Sequence, residues 1–262
     1  MHGMEVVAGA LTGFIVGLTG VGGGALMTPI LLLIFGVAPT TAVGTDLWFA
    51  AITKIAATRI HHGHGLIDWQ VVKRLWMGSL TFSVLTLIGL KWGPIHTGGI
   101  HFLKVAVAGA VLLTSVGMVF QTRLHGWGRR LRTANPDQFK AWQAPLTILA
   151  GALLGVLVTL TSVGAGALGV VFMAQLYPLR LTPSRLVATD IVHAIPLALF
   201  AGLGHLYIGH VNFVLLGYLL LGSIPAVMVG AMLSSRLPQT WLRGLLATVL
   251  LVVGIKLWLS AT

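Results

Sequence analysis

Apolar and polar positions alternate along this chain in long blocks, and the blocks predict its elements. Apolar stretches run over 5–20, 22–37, 39–60, 71–92 and 101–120, and again over 145–161, 163–178, 183–206, 212–233 and 240–260. Most approach the roughly 20 residues that a helix needs to cross a bilayer. Between the two sets lies the one substantial polar stretch, Gln121 to Gln143, which reads as a loop carrying a short surface helix. The pattern therefore predicts a first transmembrane repeat at 1–120, a basic cytoplasmic loop at 121–144 and a second transmembrane repeat at 145–262.

The first two stretches of each set are broken by glycine. Gly20, Gly22, Gly23 and Gly24 interrupt an otherwise apolar run, and Gly164 and Gly166 interrupt its counterpart. Glycine tolerates positive φ and carries no bulk, so a helix can stop there. Inside a bilayer the freed backbone groups are tolerated only where they are buried in protein or line a cavity. The correspondence continues past the breaks. Gly13 falls on Gly155, Pro39 on Pro183, Thr45-Asp46 on Thr189-Asp190, His61 on His205, Asp68 on Asn212 and Gly78-Ser79 on Gly222-Ser223, with two extra residues near Tyr177-Pro178. The chain is an internal duplication, and paired interruptions of this kind point to a transporter's binding site.

Composition sharpens the class. Hydrophobic residues make up 56% of the 262, charged residues only 8%, and the mean hydropathy is +0.96. A water-soluble fold of this length would need far more charge on its surface, so the chain reads as an all-α integral membrane protein. The net charge of +11 does not point to nucleic acid, because the basic residues punctuate segment ends instead of forming a basic face with aromatic partners. With alternating segments, Arg59, Lys73, Arg74, Arg123, Arg129, Arg130, Arg132, Lys140, Arg180, Arg185, Arg236 and Arg243 collect on one side. Only Lys91 and Lys104 fall on the other. That bias places both termini on the outer, periplasmic side. Five segments per half then make the two repeats inverted, each a Gly-broken or re-entrant helical hairpin followed by three transmembrane helices. Cysteine is absent, which excludes thiol chemistry, and no cofactor or metal site is expected.

The motif Gly13-x3-Gly17-x2-Gly20-x-Gly22-Gly23-Gly24 with Pro29 resembles the sulfite exporter TauE/SafE family. So do Ala42-Val-Gly-Thr-Asp-Leu47, His62-x-x-Gly-x-Ile-Asp-Trp69 and Leu221-Gly-Ser-Ile-Pro225. The resemblance covers both repeats and implies an inner-membrane permease for small sulfur-containing or carboxylate anions, often acting outward. Many members carry Thr-Ser where this chain has Thr45-Asp46 and Thr189-Asp190.

Candidate chemistry follows from these positions. A half-helix beginning at a break presents free N–H groups and the positive end of its dipole to an anion. This nominates Gly20, Gly22, Gly23, Gly24, Gly164 and Gly166, with the hydroxyls of Thr45, Thr161, Ser162 and Thr189, as the substrate site; close helix packing is the competing reading. Asp46 and Asp190 lie about two turns into their helices. A charge in a span is costly, which nominates both as proton carriers, against a structural hydrogen bond to the nearby break. His193 shares a face with Asp190 at i+3 and could relay its proton, whereas the first repeat has Phe49 there. Lys54 reads as a lysine snorkelling to the inner face, with anion binding as the competing reading. The His61-His62-Gly63-His64 run reads as headgroup-level histidines in preference to a metal site. Gln175 and Tyr177 are polar groups that could line the path, and Arg123–Arg132 reads as an anchor on anionic lipid.

The expected partners are a small anionic substrate and the bilayer, with a homodimer left open. The expected function is secondary transport of that anion, coupled to protons. The rival class is an intramembrane hydrolase or phosphatase using Asp190 and His193.

Overall fold

A computed structural model of the chain describes residues 2–19, 24–58, 66–92, 99–134, 136–233 and 239–261. The described residues form ten helices. They are α1 (His2–Thr19), α2 (Gly24–Leu33), α3 (Pro39–Thr58), α4 (Trp69–Trp92), α5 (Gly99–Ala134), α6 (Pro136–Thr161), α7 (Ala167–Leu176), α8 (Pro183–Ile208), α9 (Phe213–Leu233) and α10 (Gln239–Ala261). Seven of them, α1, α4, α5, α6, α8, α9 and α10, are long and apolar enough to cross a membrane. At ten residues each, α2 and α7 rise only about 15 Å, half of the roughly 30 Å hydrocarbon core.

The helix starts follow local chemistry. Proline opens α3 and α8 at a position whose N–H would have no intrahelical partner. Asp68 and Asn212 cap α4 and α9, accepting from the amides of Val71 and Leu215 at 3.3 and 3.0 Å. Helix α8 closes on Gly209, whose φ of 89° only glycine adopts readily.

One expectation fails. The polar stretch 121–143 is helical: α5 continues to Ala134, and α6 starts at Pro136. Polarity there reports departure from lipid, not the end of the helix. Gly128 packs against the backbone of Gln175, and His125 pairs with the Ala174 carbonyl at 3.0 Å, so the extension covers the end of α7.

The two halves pack reciprocally. Helix α1 lies along α9, α6 lies along α4, α3 crosses α8, and α5 pairs with α10. In the first two pairs the first helix of one half runs beside the fourth of the other, and in the last two the third and fifth helices meet their own counterparts. Small residues make this possible. A Cβ on Gly13 would stand 2.6 Å from the Ser223 carbonyl, and one on Gly155 2.3 Å from that of Ser79. These glycines serve close packing. A core contributed by both halves, including Val43, Leu47, Val111, Val158, Leu197 and Leu250, surrounds the α3/α8 crossing. Large apolar side chains such as Met77, Leu149, Leu221 and Leu259 face outward, as lipid requires.

Candidate functional site

The second break is built from unusual backbone. Ser162, Gly164 and Gly166 adopt φ of 58°, 118° and 119°, so the chain leaves α6 and enters α7 through a geometry that non-glycine residues resist. Thr161 bonds back to the Leu157 carbonyl and accepts from the Val163 amide at 3.1 Å, which holds the break in shape. The Ser162 hydroxyl is buried beside Asp46, short of a full hydrogen bond. Of the first break, Gly20, Gly22 and Gly23 lie outside the described residues, as does His61-His62-Gly63-His64; Gly24 is the first residue of α2.

Each half presents a buried aspartate to a half-helix, but the two are treated differently. Asp46 Oδ2 accepts from both the amide and the hydroxyl of Thr28 on α2. Its Oδ1 has no bonded partner and lies beside Ser162. Asp190 packs on the first turn of α7, where a Cβ on Gly169 would stand 2.3 Å from its Oδ1. The Gly166 amide lies near, yet neither oxygen of Asp190 makes a full hydrogen bond. What faces Asp190 instead is Lys54, with Nζ 3.7 Å from Oδ2 and side-chain exposures of 4% and 1%. Lys54 also donates to the Ala165 carbonyl at 3.4 Å. It therefore does not snorkel: it crosses from α3 of the first half into the break of the second.

His193 turns away from Asp190. Its Nε2 pairs with the Ser79 hydroxyl of α4 at 3.0 Å, while Nδ1 has no partner. That hydroxyl is fully buried, and no carboxylate orients the ring through Nδ1, so the arrangement lacks the third member of a nucleophile–base–orienter set. Thr45 and Thr189 act as mirror ties between the halves: each accepts an amide hydrogen bond at 3.1 Å, from Asn212 and from Asp68 respectively. Tyr177 joins Thr147 and Arg74 at 2.8 and 3.1 Å, away from the break.

Sequence reading missed Lys54, Thr28 and Ser79 as partners of these groups. A signal for Lys54 was present: its repeat counterpart is Ala198, so a charge without a symmetric equivalent had to be neutralised from the other half.

Near the start of α4 the halves are also joined by a tight ion pair. Arg180 Nε meets Asp68 Oδ2 at 2.6 Å, its Nη2 meets Oδ1 at 2.9 Å, and its Nη1 reaches Gln70 at 2.8 Å. The groove of about 310 Å³ between α5 and α7 is different in kind. Leu113, Val116, Phe120, Leu168 and Phe172 line it, and it offers an anion nothing polar.

Comparison with known proteins supplies a class. A family described as "Sulfite exporter TauE/SafE" matches residues 6–257. A Bacillus subtilis (strain 168) protein named "Probable membrane transporter protein YjnA" is 36% identical over 257 residues, covering 96% of this chain and 98% of that protein. Another from the same organism, "Probable membrane transporter protein YdhB", is 25% identical over 78% of this chain and 79% of its own length. A Haemophilus influenzae "Probable membrane transporter protein" is 36% identical over 27% of this chain and 29% of that protein. No solved structure matches. The names are those of membrane transporters, and none supports a hydrolase.

Proposed function

The chain belongs to the sulfite exporter TauE/SafE family of membrane transporters, and from that premise we propose that it exports a small anion across the inner membrane, coupled to protons. Sulfite, an organosulfonate or a related sulfur-containing or carboxylate anion is the cargo class. The observation that carries this reading is the cluster at the second break. Asp190 and Lys54 are buried together where the two halves meet, with bonding capacity unused. Buried polar groups are ordinarily satisfied, and ionisable groups inside a membrane mark transport pathways. In this reading Asp190 carries the proton.

Counterflow into vesicles of purified protein tests it. Labelled sulfite, methanesulfonate or a short carboxylate should exchange against internal anion at rates well above protein-free vesicles. Absence of exchange with every member of the panel would defeat the assignment.

The repeats are taken to be inverted, a reading supported by the reciprocal packing of α1 on α9 and α6 on α4 together with the one-sided basic residues. Both termini are then periplasmic. A C-terminal alkaline phosphatase fusion should be active, and a fluorescent protein fused there should stay dark when routed by this chain. The opposite pattern would reverse the topology.

A further inference from the structure

We propose that Lys54 is the residue that holds the transported anion, accepting it in exchange for the Asp190 carboxylate, so that the cargo is a monovalent anion moving with one proton. This rests on the anion-transport reading above.

The first ground is the quality of the Lys54–Asp190 pair. Burying two opposite charges is unfavourable unless their geometry is close and the remaining donors and acceptors are satisfied. This pair is separated by 3.7 Å, both Asp190 oxygens lack a hydrogen bond, and the ammonium makes one long bond to Ala165. The same protein shows what a structural pair looks like. Asp68 and Arg180 meet at 2.6 and 2.9 Å, with Gln70 and Arg185 adding to the cluster. The loose pair is the fully buried one, where looseness costs most.

The second ground is the broken symmetry. Asp46, the repeat equivalent of Asp190, is held by Thr28 and needs no cation. A buried aspartate beside a half-helix can therefore be accommodated in this fold by hydrogen bonds alone. A lysine has been introduced where the other half has Ala198. Its three donors outnumber its acceptors among the described residues, which are Asp190 and the Ala165 carbonyl.

The third ground is charge. With no cargo, the ammonium of Lys54 and the carboxylate of Asp190 cancel. An arriving anion would meet that carboxylate, and like charges at this range are strongly unfavourable in a low dielectric. If a proton enters with the anion and adds to an Asp190 oxygen, Lys54 keeps its charge and pairs with the anion, and the site is again neutral. A divalent anion would leave a net negative charge buried. The other ionisable groups facing the pair are His193, one turn along α8 and engaged with Ser79, and Asp46, about two turns back along α3 and engaged with Thr28. Neither is bonded to Lys54 or Asp190.

The test uses full-length protein in vesicles and two anions that stay ionised across the working range, monovalent methanesulfonate and divalent 1,2-ethanedisulfonate. Wild type should accumulate methanesulfonate under a pH gradient, stay indifferent to an imposed membrane potential, and exclude the disulfonate. Lys54→Met should weaken methanesulfonate about 10- to 100-fold, the range for losing a charge-assisted contact. Lys54→Met/Asp190→Asn, which removes both charges and avoids an orphaned carboxylate, should show the same loss with wild-type melting. Lys256→Met, on the exposed face of α10, should transport normally. Transport by Lys54→Met within about twofold of wild type, potential-driven methanesulfonate uptake, or equal uptake of the disulfonate would each overturn the proposal. Because the charge measurements use wild type, they decide the matter even if the variants do not fold. Wild-type vesicles that move disulfonate but depend on potential would sink this inference while leaving anion transport standing; vesicles that move no anion would sink both.

Discussion

Asp190→Asn is expected to abolish anion accumulation driven by a pH gradient while anion-for-anion exchange continues. Asparagine keeps the shape of the protonated acid and can still hydrogen-bond, but it cannot release a proton. The space for it is tightly drawn, since α7 admits only glycine at position 169 against this side chain. Removing the carboxylate frees Lys54 from its one charged neighbour within 4 Å among the described residues, so anion binding should become tighter and lose its dependence on pH. In wild type, protonation and anion binding favour one another, and the coupling must be reciprocal; in the variant there is nothing left to couple. Asp46→Asn provides the contrast. Asn at 46 can still accept from Thr28, and no lysine faces it, so pH-driven accumulation should fall by much less. The measurement is uptake of labelled anion in vesicles with ΔpH as the sole driving force. Accumulation by Asp190→Asn at the wild-type level would mean that the proton travels elsewhere.

Gly222→Leu and Gly78→Leu should both give markedly less stable protein. A Cβ at 222 would stand 1.9 Å from the Val6 carbonyl oxygen, and one at 78 would stand 2.0 Å from that of Ile148. Both clashes are with helix backbone, which cannot swing aside as a side chain can. The helices must separate along their length, losing the dispersion contacts that hold α1 to α9 and α6 to α4. Overpacking of a well-filled interface costs about 1–3 kcal/mol, and the upper end applies here. For a chain of this size that lowers the melting temperature by roughly 10 °C. Gly217 serves as the internal control. It lies on the same helix as Gly222 with nothing within 4 Å of its would-be Cβ, so Gly217→Ala should melt at or slightly above wild type. Detergent-solubilised protein monitored by size-exclusion and thermal unfolding decides it. Wild-type melting of Gly222→Leu would contradict the packing described for α1 and α9.

Much of this molecule is determined by its residues taken in order. The apolar blocks give the helices because a bilayer leaves backbone groups no alternative partner. The duplication is visible because equivalent positions face equivalent surroundings: Pro39 and Pro183 open helices, and Thr45 and Thr189 tie down Asn212 and Asp68. The positions of the broken helices were legible because few residues other than glycine accept the dihedrals found at Gly164 and Gly166. Other features had no local signature. Polarity at 121–143 could not distinguish a loop from a helix leaving the membrane, since both are wetted and the distinction depends on what the exposed turn covers. The roles of Gly13 and Gly155 turned on which helix lay opposite, and that is a property of the bundle. The pairing of Lys54 with Asp190, in place of His193, was out of reach for the same reason. Two groups 136 positions apart in sequence are brought to 3.7 Å only when α3 of one half is laid across the break of the other. The repeat supplies a near-identical aspartate twice; tertiary packing alone decides which of them meets a buried cation, because desolvation and Coulomb attraction act through space and not along the chain.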